Sequence, residues 1–419
     1  MDGFNKVVGY ENVVIELRRI IDMMNNMDKY KALGVKMTKG VLLHGEPGVG
    51  KTLMAKCFIK ESSRKCFTLR KDMPEGDFTK YIKSVFNKAK KEAPSIVFLD
   101  DMDKFANEDY RHRNAEEYVT IQSCIDECKD DDVFVLATTN NLDTIPESLI
   151  REGRFDKTIV IDNPKREDAE KIIKHYLKNK RCAKDVDNKE IARLLNGRSC
   201  AVLETVINEA GVYTGYENRE EISMDDLVRA FMRVVYKAPE DLSCKDDKNL
   251  LSKAYHEAGH AVVSEVLKDG SIPFISIKAY DGNVGGFVHI DRSDDSFGDI
   301  ESMEGEVISL LAGKAASEVV FGTVDVGCEP DIDQAHKIVS RMVGKLCSLN
   351  FMNYEQNYED PESMRHCRNI IVGYELQRYY RCAKKILIQN RDYLDRLAYN
   401  LYDRKVLLSK DVQALKEGA

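Results

Sequence analysis

Eight residues, Gly45-Glu46-Pro47-Gly48-Val49-Gly50-Lys51-Thr52, constrain the fold of this chain more than any other stretch. They fit G-x-x-x-x-G-K-[ST] and lie between an apolar run, 41–44, and a helical stretch that starts near Lys51. Such a loop cradles phosphates in this strand–loop–helix context. Its glycines let backbone N–H groups curl around an anion at a helix N-terminus. Lys51 is then placed to reach the β- and γ-phosphates of ATP, and the Thr52 hydroxyl to hold Mg2+.

Around this loop, strand-like and helical segments alternate. Residues 41–44, 66–69, 96–100, 133–138 and 157–161 are near-continuous apolar runs, as parallel strands covered on both faces require. Residues 76–92 and 114–128 read as helices between them. The alternation predicts an α/β doubly wound parallel sheet over 1–165. Only helical patterning continues through 166–236, which predicts a helical lid. The stretch 237–249, with Pro239 and a cluster of charges, reads as a linker. A second, mainly helical domain is expected over 250–419. It has a helix at 250–267, a β patch at 274–280 and 286–290 around Asp281-Gly282-Asn283, and helices at 305–320 and 332–346. A polar irregular stretch at 353–369 and a helical end complete it.

Composition narrows the partners. Hydrophobic residues make up 43% and charged residues 32% of the chain, ample for several cores. The formal net charge of -8 argues against nucleic acid as the main partner. No run approaches the roughly 18 apolar residues of a membrane helix. The start, Met1-Asp2-Gly3-Phe4, shows no secretory signal. A cytoplasmic protein with no membrane partner is therefore expected. None of the cysteines forms a C-x-x-C pair, so they read as small core residues in a reducing compartment.

The run Ser95-Ile96-Val97-Phe98-Leu99 ends in two carboxylates. Asp100 can bind the Mg2+ shell and Asp101 can orient the attacking water. Further on, a strand ends in Thr138-Thr139-Asn140, and 147–156 read E-S-L-I-R-E-G-R-F-D. These stretches resemble the sensor-1 and second-region-of-homology pattern of AAA ATPases. The resemblance implies that Asn140 senses the γ-phosphate. It also implies that Arg151 and Arg154 are arginine fingers toward a neighbouring subunit, hence a ring, a homohexamer. Without it, each arginine would read as one half of a surface ion pair.

Residues 254–261 read A-Y-H-E-A-G-H-A. Four helical residues make about 400° of turn, so His256 and His260 share a face. Two neutral imidazoles there can bind Zn2+, with Glu257 as general base on the zinc water. Ala254, Ala258, Val262 and Val266 form an apolar stripe, which predicts a packed, rigid helix. A third ligand is needed. Spacing leaves Glu318, Asp325, Glu329, Asp331, Asp333 and His336 open.

Nearly end to end, the chain resembles the FtsH-type AAA metalloproteases. His256-Glu257-Ala258-Gly259-His260 matches that family's zinc helix. Residues 306–322 (E-V-I-S-L-L-A-G-K-A-A-S-E-V-V-F-G) and 327–335 (G-C-E-P-D-I-D-Q-A) match its following helix and ligand segment. The resemblance selects Asp331 as third ligand. Asp331 follows Pro330 at the start of a helix with the apolar face Ile332, Ala335, Ile338, Val339, Met342 and Leu346, where an acid can equally serve the helix N-terminus. The resemblance also places 285–288 as an edge strand beside the zinc, suited to hold an extended peptide. It implies an ATP-dependent zinc metalloendopeptidase that translocates and degrades polypeptide substrates, with Zn2+, ATP and Mg2+ as cofactors.

The sequence departs from that family in four places. The usual N-terminal transmembrane helices are missing, which implies a soluble form. The second Walker B acid is Asp101 rather than Glu. The pore stretch is Met73-Pro74-Glu75-Gly76, without a gripping aromatic, leaving Met73 or Phe78 as substitutes. Ser317 replaces the first of two glutamates before Glu318. Weak unfolding power is expected. The alternative is a remodelling chaperone or scaffold with vestigial peptidase activity, which the altered pore and Walker B residues favour and the intact H-E-x-x-H opposes. Gly197-Arg198-Ser199-Cys200-Ala201 falls short of a serine-hydrolase G-x-S-x-G elbow.

Overall fold

The computed structural model describes residues 3–71, 78–106, 115–238, 249–278, 286–290, 298–324, 326–351, 354–355 and 362–418. The pore stretch Met73-Pro74-Glu75-Gly76, most of the linker, the turn Asp281-Gly282-Asn283, Gly285 and Asp325 lie outside them. Two compact units divide the chain. One is Met1–Lys184 with Gly197–Ile222, the other Asp185–Asn196 with Ser223–Ala419.

The first unit contains α1 (Glu11–Asn25), α2 (Met27–Ala32), β1 (Gly40–His44), α3 (Lys51–Ser62), β2 (Lys65–Leu69), α4 (Phe78–Lys91), β3 (Ser95–Leu99), α5 (Ala115–Glu127), β4 (Val133–Thr139), β5 (Lys157–Val160) and α6 (Arg166–Leu177). Beyond α7 (Asn188–Leu194), which belongs to the other unit, it is completed by α8 (Cys200–Tyr216). The sheet order is β2-β3-β4-β1-β5 with every pairing parallel. This is the doubly wound sheet that the apolar runs predict. Successive residues of each strand feed opposite faces. Leu42, Val97 and Val135 pack with Phe78, Ile82 and Ile121, while Leu43, Phe98 and Leu136 pack with Leu17, Met54 and Phe58. Each such side chain contributes about 1.5–3 kcal/mol by leaving water. Phe78 is fully buried, its ring edge-on to Phe105 at 5.4 Å. It anchors α4 in the core and is therefore no substitute for a gripping pore aromatic.

The second unit contains α7, α9 (Met224–Tyr236), α10 (Leu250–Leu267), β6 (Phe274–Ser276), β7 (Phe287–His289), α11 (Ile300–Leu310), α12 (Ala312–Phe321), α13 (Glu329–Gly344), α14 (Glu362–Gln389), α15 (Arg391–Arg404), β8 (Val406–Leu408) and α16 (Ser409–Glu417). Its small antiparallel sheet has the order β7-β6-β8. Helix α10 is central. Its Ala254, Ala258 and Val262 are buried with Ala312 and Ala316 of α12 and Leu397 of α15. A Cβ on Gly259 would stand 2.6 Å from Ala316 Cβ, so only glycine lets α10 and α12 approach this closely.

Several expectations are corrected here. Val266 is 42% exposed because the stripe outruns the packed part of α10. The single helix expected at 305–320 is two, broken at Leu311. Leu346, expected on the α13 face, lies beyond the helix end and is exposed. Residues 362–369 are the start of α14 rather than irregular. They sit mostly in solvent, so no apolar period betrays them. Strand β8 interrupts the helical end that the sequence predicts, because three apolar residues between helices carry no alternation. Apart from these corrections, the boundary between the two compact units falls inside 166–236. Helix α7 joins the second unit through Glu190, which accepts from Ser409 N at 2.9 Å, and Arg193, which donates to Gly270 O at 2.7 Å.

Candidate active sites

The phosphate loop follows β1 and opens α3. Gly45, Gly48 and Gly50 all have positive φ, which an L side chain adopts only with strain. At Gly45 and Gly48 space forbids a side chain as well, since a Cβ would stand 2.0 Å from Ile161 O and 2.7 Å from Ala201 Cβ. The Lys51 ammonium donates to Gly45 O at 2.8 Å and Glu46 O at 2.7 Å. Burial pulls its pKa down. Thr52 Oγ1 donates to Asp100 Oδ1 at 3.2 Å, as does Thr138 Oγ1 at 3.0 Å, and Arg70 pairs with the other Asp100 oxygen. Hydroxyl and carboxylate thus stand side by side, a donor set that fits Mg2+. The loop, Asp101 and Asn140 line a cleft of about 700 Å³, large enough for a nucleotide.

Asp101 has φ 54 and pairs with Lys104 at 2.6 Å. Asn140 reaches Asp103 through its backbone and side-chain nitrogens, each at 3.4 Å. The two arginines differ. Arg154 forks onto Asp126 of α5, with Nε at 3.1 Å and Nη2 at 2.7 Å. Arg151 is exposed. Neither lines the cleft of its own chain. Sequence reasoning missed the far wall of the cleft, which includes Tyr10, His175, Tyr176, Cys200 and Glu204. The near-miss elbow belongs here. Ser199 is the residue before α8, and Ala201 N donates to Gly48 O at 3.0 Å. The signal was a glycine and a serine ahead of a helical run.

The second site lies on α10. His256 Nε2 and His260 Nε2 are 3.1 Å apart, and Asp331 Oδ2 is 3.2 Å from the first and 3.3 Å from the second. Tetrahedral zinc with bonds of roughly 2.0–2.1 Å spaces its ligands about 3.3 Å apart, so this triangle fits the ion. Asp331 stands in the first turn of α13, after Pro330. Ser309 O, in the last turn of α11, lies 2.7 Å from His260 Nδ1. A proton kept there when zinc is bound would leave the Nε2 lone pair to the ion. Gly313 supplies the remaining space: a Cβ on it would stand 2.5 Å from both Nε2 atoms. The donors therefore converge on a cradle that only glycine leaves open. Burial pushes the His260 imidazole down, but Asp331 overcomes it and raises the pKa to about 9. Burial opposes ionisation of Asp331 too, yet hydrogen bonds from both imidazoles hold it far below the usual carboxylate range. Glu257 is buried beside them, and burial pushes its carboxyl up.

Of the other third-ligand candidates, Glu318 pairs with Tyr380 and with Lys384 at 2.9 Å. Glu329 and Asp333 border a separate surface cleft with Val326 and Ile332. His336 is exposed. Among the described residues, His256, His260 and Asp331 are the group that could hold a metal. Ser317 is buried and donates to Gly313 O at 3.3 Å, so it braces α12 behind the cradle.

Comparison with known proteins decides the family. Residues 41–163 match the profile of the ATPase family associated with various cellular activities (AAA), and 243–415 match peptidase family M41. The ATP-dependent zinc metalloprotease FtsH 2 of Thermoanaerobacter sp. (strain X514) is 30% identical over 99% of this chain and 82% of its own length. The chain belongs to the FtsH family. The FtsH of Thermotoga maritima is 32% identical over 96% of this chain and 67% of its own length, and that of Bacillus subtilis 30% over 98% and 69%. FtsH membership agrees with the resemblance, the fold class and the zinc, ATP and Mg2+ expected from the motifs. Among the described residues no helix is long and apolar enough to cross a membrane.

Proposed function

We propose that this chain is an ATP-dependent zinc endopeptidase that feeds polypeptide to the α10 site. The observation that carries the proposal is the convergence of His256 Nε2, His260 Nε2 and Asp331 Oδ2 beside Glu257, over a glycine at 313. Zinc bound there would supply Lewis-acid polarisation of a water and of the scissile carbonyl. The raised carboxyl of Glu257 suits it to take a proton from that water and give it to the leaving amine. In the other unit, Lys51 and the glycine N–H groups would hold phosphates, Thr52 and Asp100 the Mg2+, and Asn140 and Asp101 the γ-phosphate and attacking water. The exposed Arg151 suits a reach into a neighbouring subunit of a homohexamer better than Arg154, which its own Asp126 engages. The four-part division into 1–165, 166–236, 237–249 and 250–419 belongs to this proposal, as does a reducing cytoplasm, which suits buried free thiols such as Cys57 and Cys124.

The test is digestion of a permanently unfolded protein with and without ATP by wild type, Lys51→Ala and Glu257→Gln. Lys51→Ala is expected to lower ATP-driven digestion roughly 100-fold, the scale of removing one charge-stabilising donor. Wild-type rates in Lys51→Ala would leave a peptidase that uses nucleotide only to assemble. Wild-type remodelling by Glu257→Gln, with no digestion by either protein, would favour the chaperone reading.

Asp101 supports the reading of a weak motor. Its carboxylate is one methylene shorter than Glu and is held by Lys104. Asp101→Glu is expected to raise ATP turnover roughly threefold or more, because the longer side chain restores reach to the attacking water. Phosphate release measures it; an unchanged or lower rate removes Asp101 as the cause of any weakness.

A further inference from the structure

Helix α9 ends on Tyr236, and that side chain is built into the peptidase sheet. Its ring lies 4.0 Å from the Phe287 ring, tilted by 35°, and its hydroxyl is 3.1 Å from His289 Nδ1. Phe231, five residues earlier, meets Tyr236 and Phe274 edge-on, each at 5.3 Å. Phe287 and His289 are the two ends of β7, the three-residue edge strand of the sheet β7-β6-β8. A strand this short, paired on one side only, depends on side-chain packing for its position. Gly286, immediately before it, runs over the catalytic helix: a Cβ there would stand 2.7 Å from Glu257 Oε1. The segment that Tyr236 grips is therefore the segment that passes over the base. Helix α9 lies outside both matched family regions, 41–163 and 243–415.

We propose that Tyr236 is a positioning residue of the peptidase site, which fixes β7 and so sets where an extended peptide chain pairs with that edge beside Glu257. The proposal rests on the peptidase reading above. A peptide added to a sheet edge takes its register from the strand that receives it. A loosened β7 would cost binding of the peptide before it cost the chemistry on α10. The stack and the hydroxyl contact act separately, so they are separable by substitution.

The experiment uses the full zinc-loaded chain with saturating ATP and an internally quenched, unstructured peptide as probe. Tyr236→Ala is expected to raise KM about tenfold, the combined scale of a ring stack and a hydrogen bond, with kcat, bound zinc and ATP turnover unchanged. Tyr236→Phe keeps the ring and is expected to raise KM only about twofold to threefold. His289→Leu, which puts no polar atom at the Nδ1 position and also loses the edge contact with the Phe231 ring at 6.4 Å, should raise KM at least as much. Adding Tyr236→Phe to it should add little, because the hydroxyl contact is already gone. An unchanged KM in Tyr236→Phe and His289→Leu overturns the proposal even if Tyr236→Ala fails to fold. So does a fall in kcat together with loss of zinc, which would mark plain structural damage. The peptidase reading fails separately, if Glu257→Gln cleaves the same peptide at the wild-type rate.

Discussion

Gly313→Ala is expected to abolish zinc loading while the ATPase unit keeps its turnover. In an exposed helix interior this substitution would stabilise, by about 1 kcal/mol. Here the new methyl would stand 2.5 Å from His256 Nε2 and His260 Nε2 and 2.6 Å from His256 Cε1. It would fill the place that the three donors face. The rings cannot simply swing aside, because His260 Nδ1 is tied to Ser309 O at 2.7 Å and α10 is packed against α12 at Gly259. Zinc affinity is expected to fall at least about 100-fold, which is about 2.7 kcal/mol and outweighs the helix-propensity gain. Metal analysis of purified protein checks this, with circular dichroism and phosphate release as controls. Stoichiometric zinc in the variant would contradict the cradle geometry.

Glu257→Gln carries the other large effect. Glutamine has nearly the volume of glutamate, so the packed site beneath Gly286 should persist. The metal should remain too, because His256, His260 and Asp331 make the triangle without Glu257. What is lost is a group that can take and return a proton. Such transfer contributes roughly 10²–10⁴-fold to a rate, and kcat for an unfolded substrate is expected to fall by that factor with KM little changed. Zinc content and ATP turnover should equal wild type. A rate within about threefold of wild type, with zinc bound, would assign the base to another residue. The two variants are expected to separate the proposed roles, Gly313→Ala losing the ion and Glu257→Gln keeping it while losing a proton acceptor.

The parts of both sites that were legible in the sequence are local. Gly45-Glu46-Pro47-Gly48-Val49-Gly50-Lys51-Thr52 adopts its loop because its own glycines permit positive φ between a strand and a helix. His256 and His260 meet because four residues on a helix always bring side chains to one face. The third donor was open between six residues on spacing alone, and resemblance alone selected Asp331, which lies 75 residues from His256. Motif reading treated Arg151 and Arg154 alike, yet a carboxylate on α5 holds one and leaves the other exposed. Phe78, by its place in the sequence a substitute for the pore aromatic, is buried in the sheet core.

The sequence by itself determined the parallel sheet, the phosphate loop, the imidazole pair and the family, because strand and helix periods and short motifs act over a few residues. Tertiary structure alone decided that Gly313 leaves room for an ion, that Lys104 holds Asp101, that α7 and α9 join the second unit, and that Tyr236 grips β7. Each of these depends on close packing between segments far apart in the chain, and such packing has no period for a sequence to display.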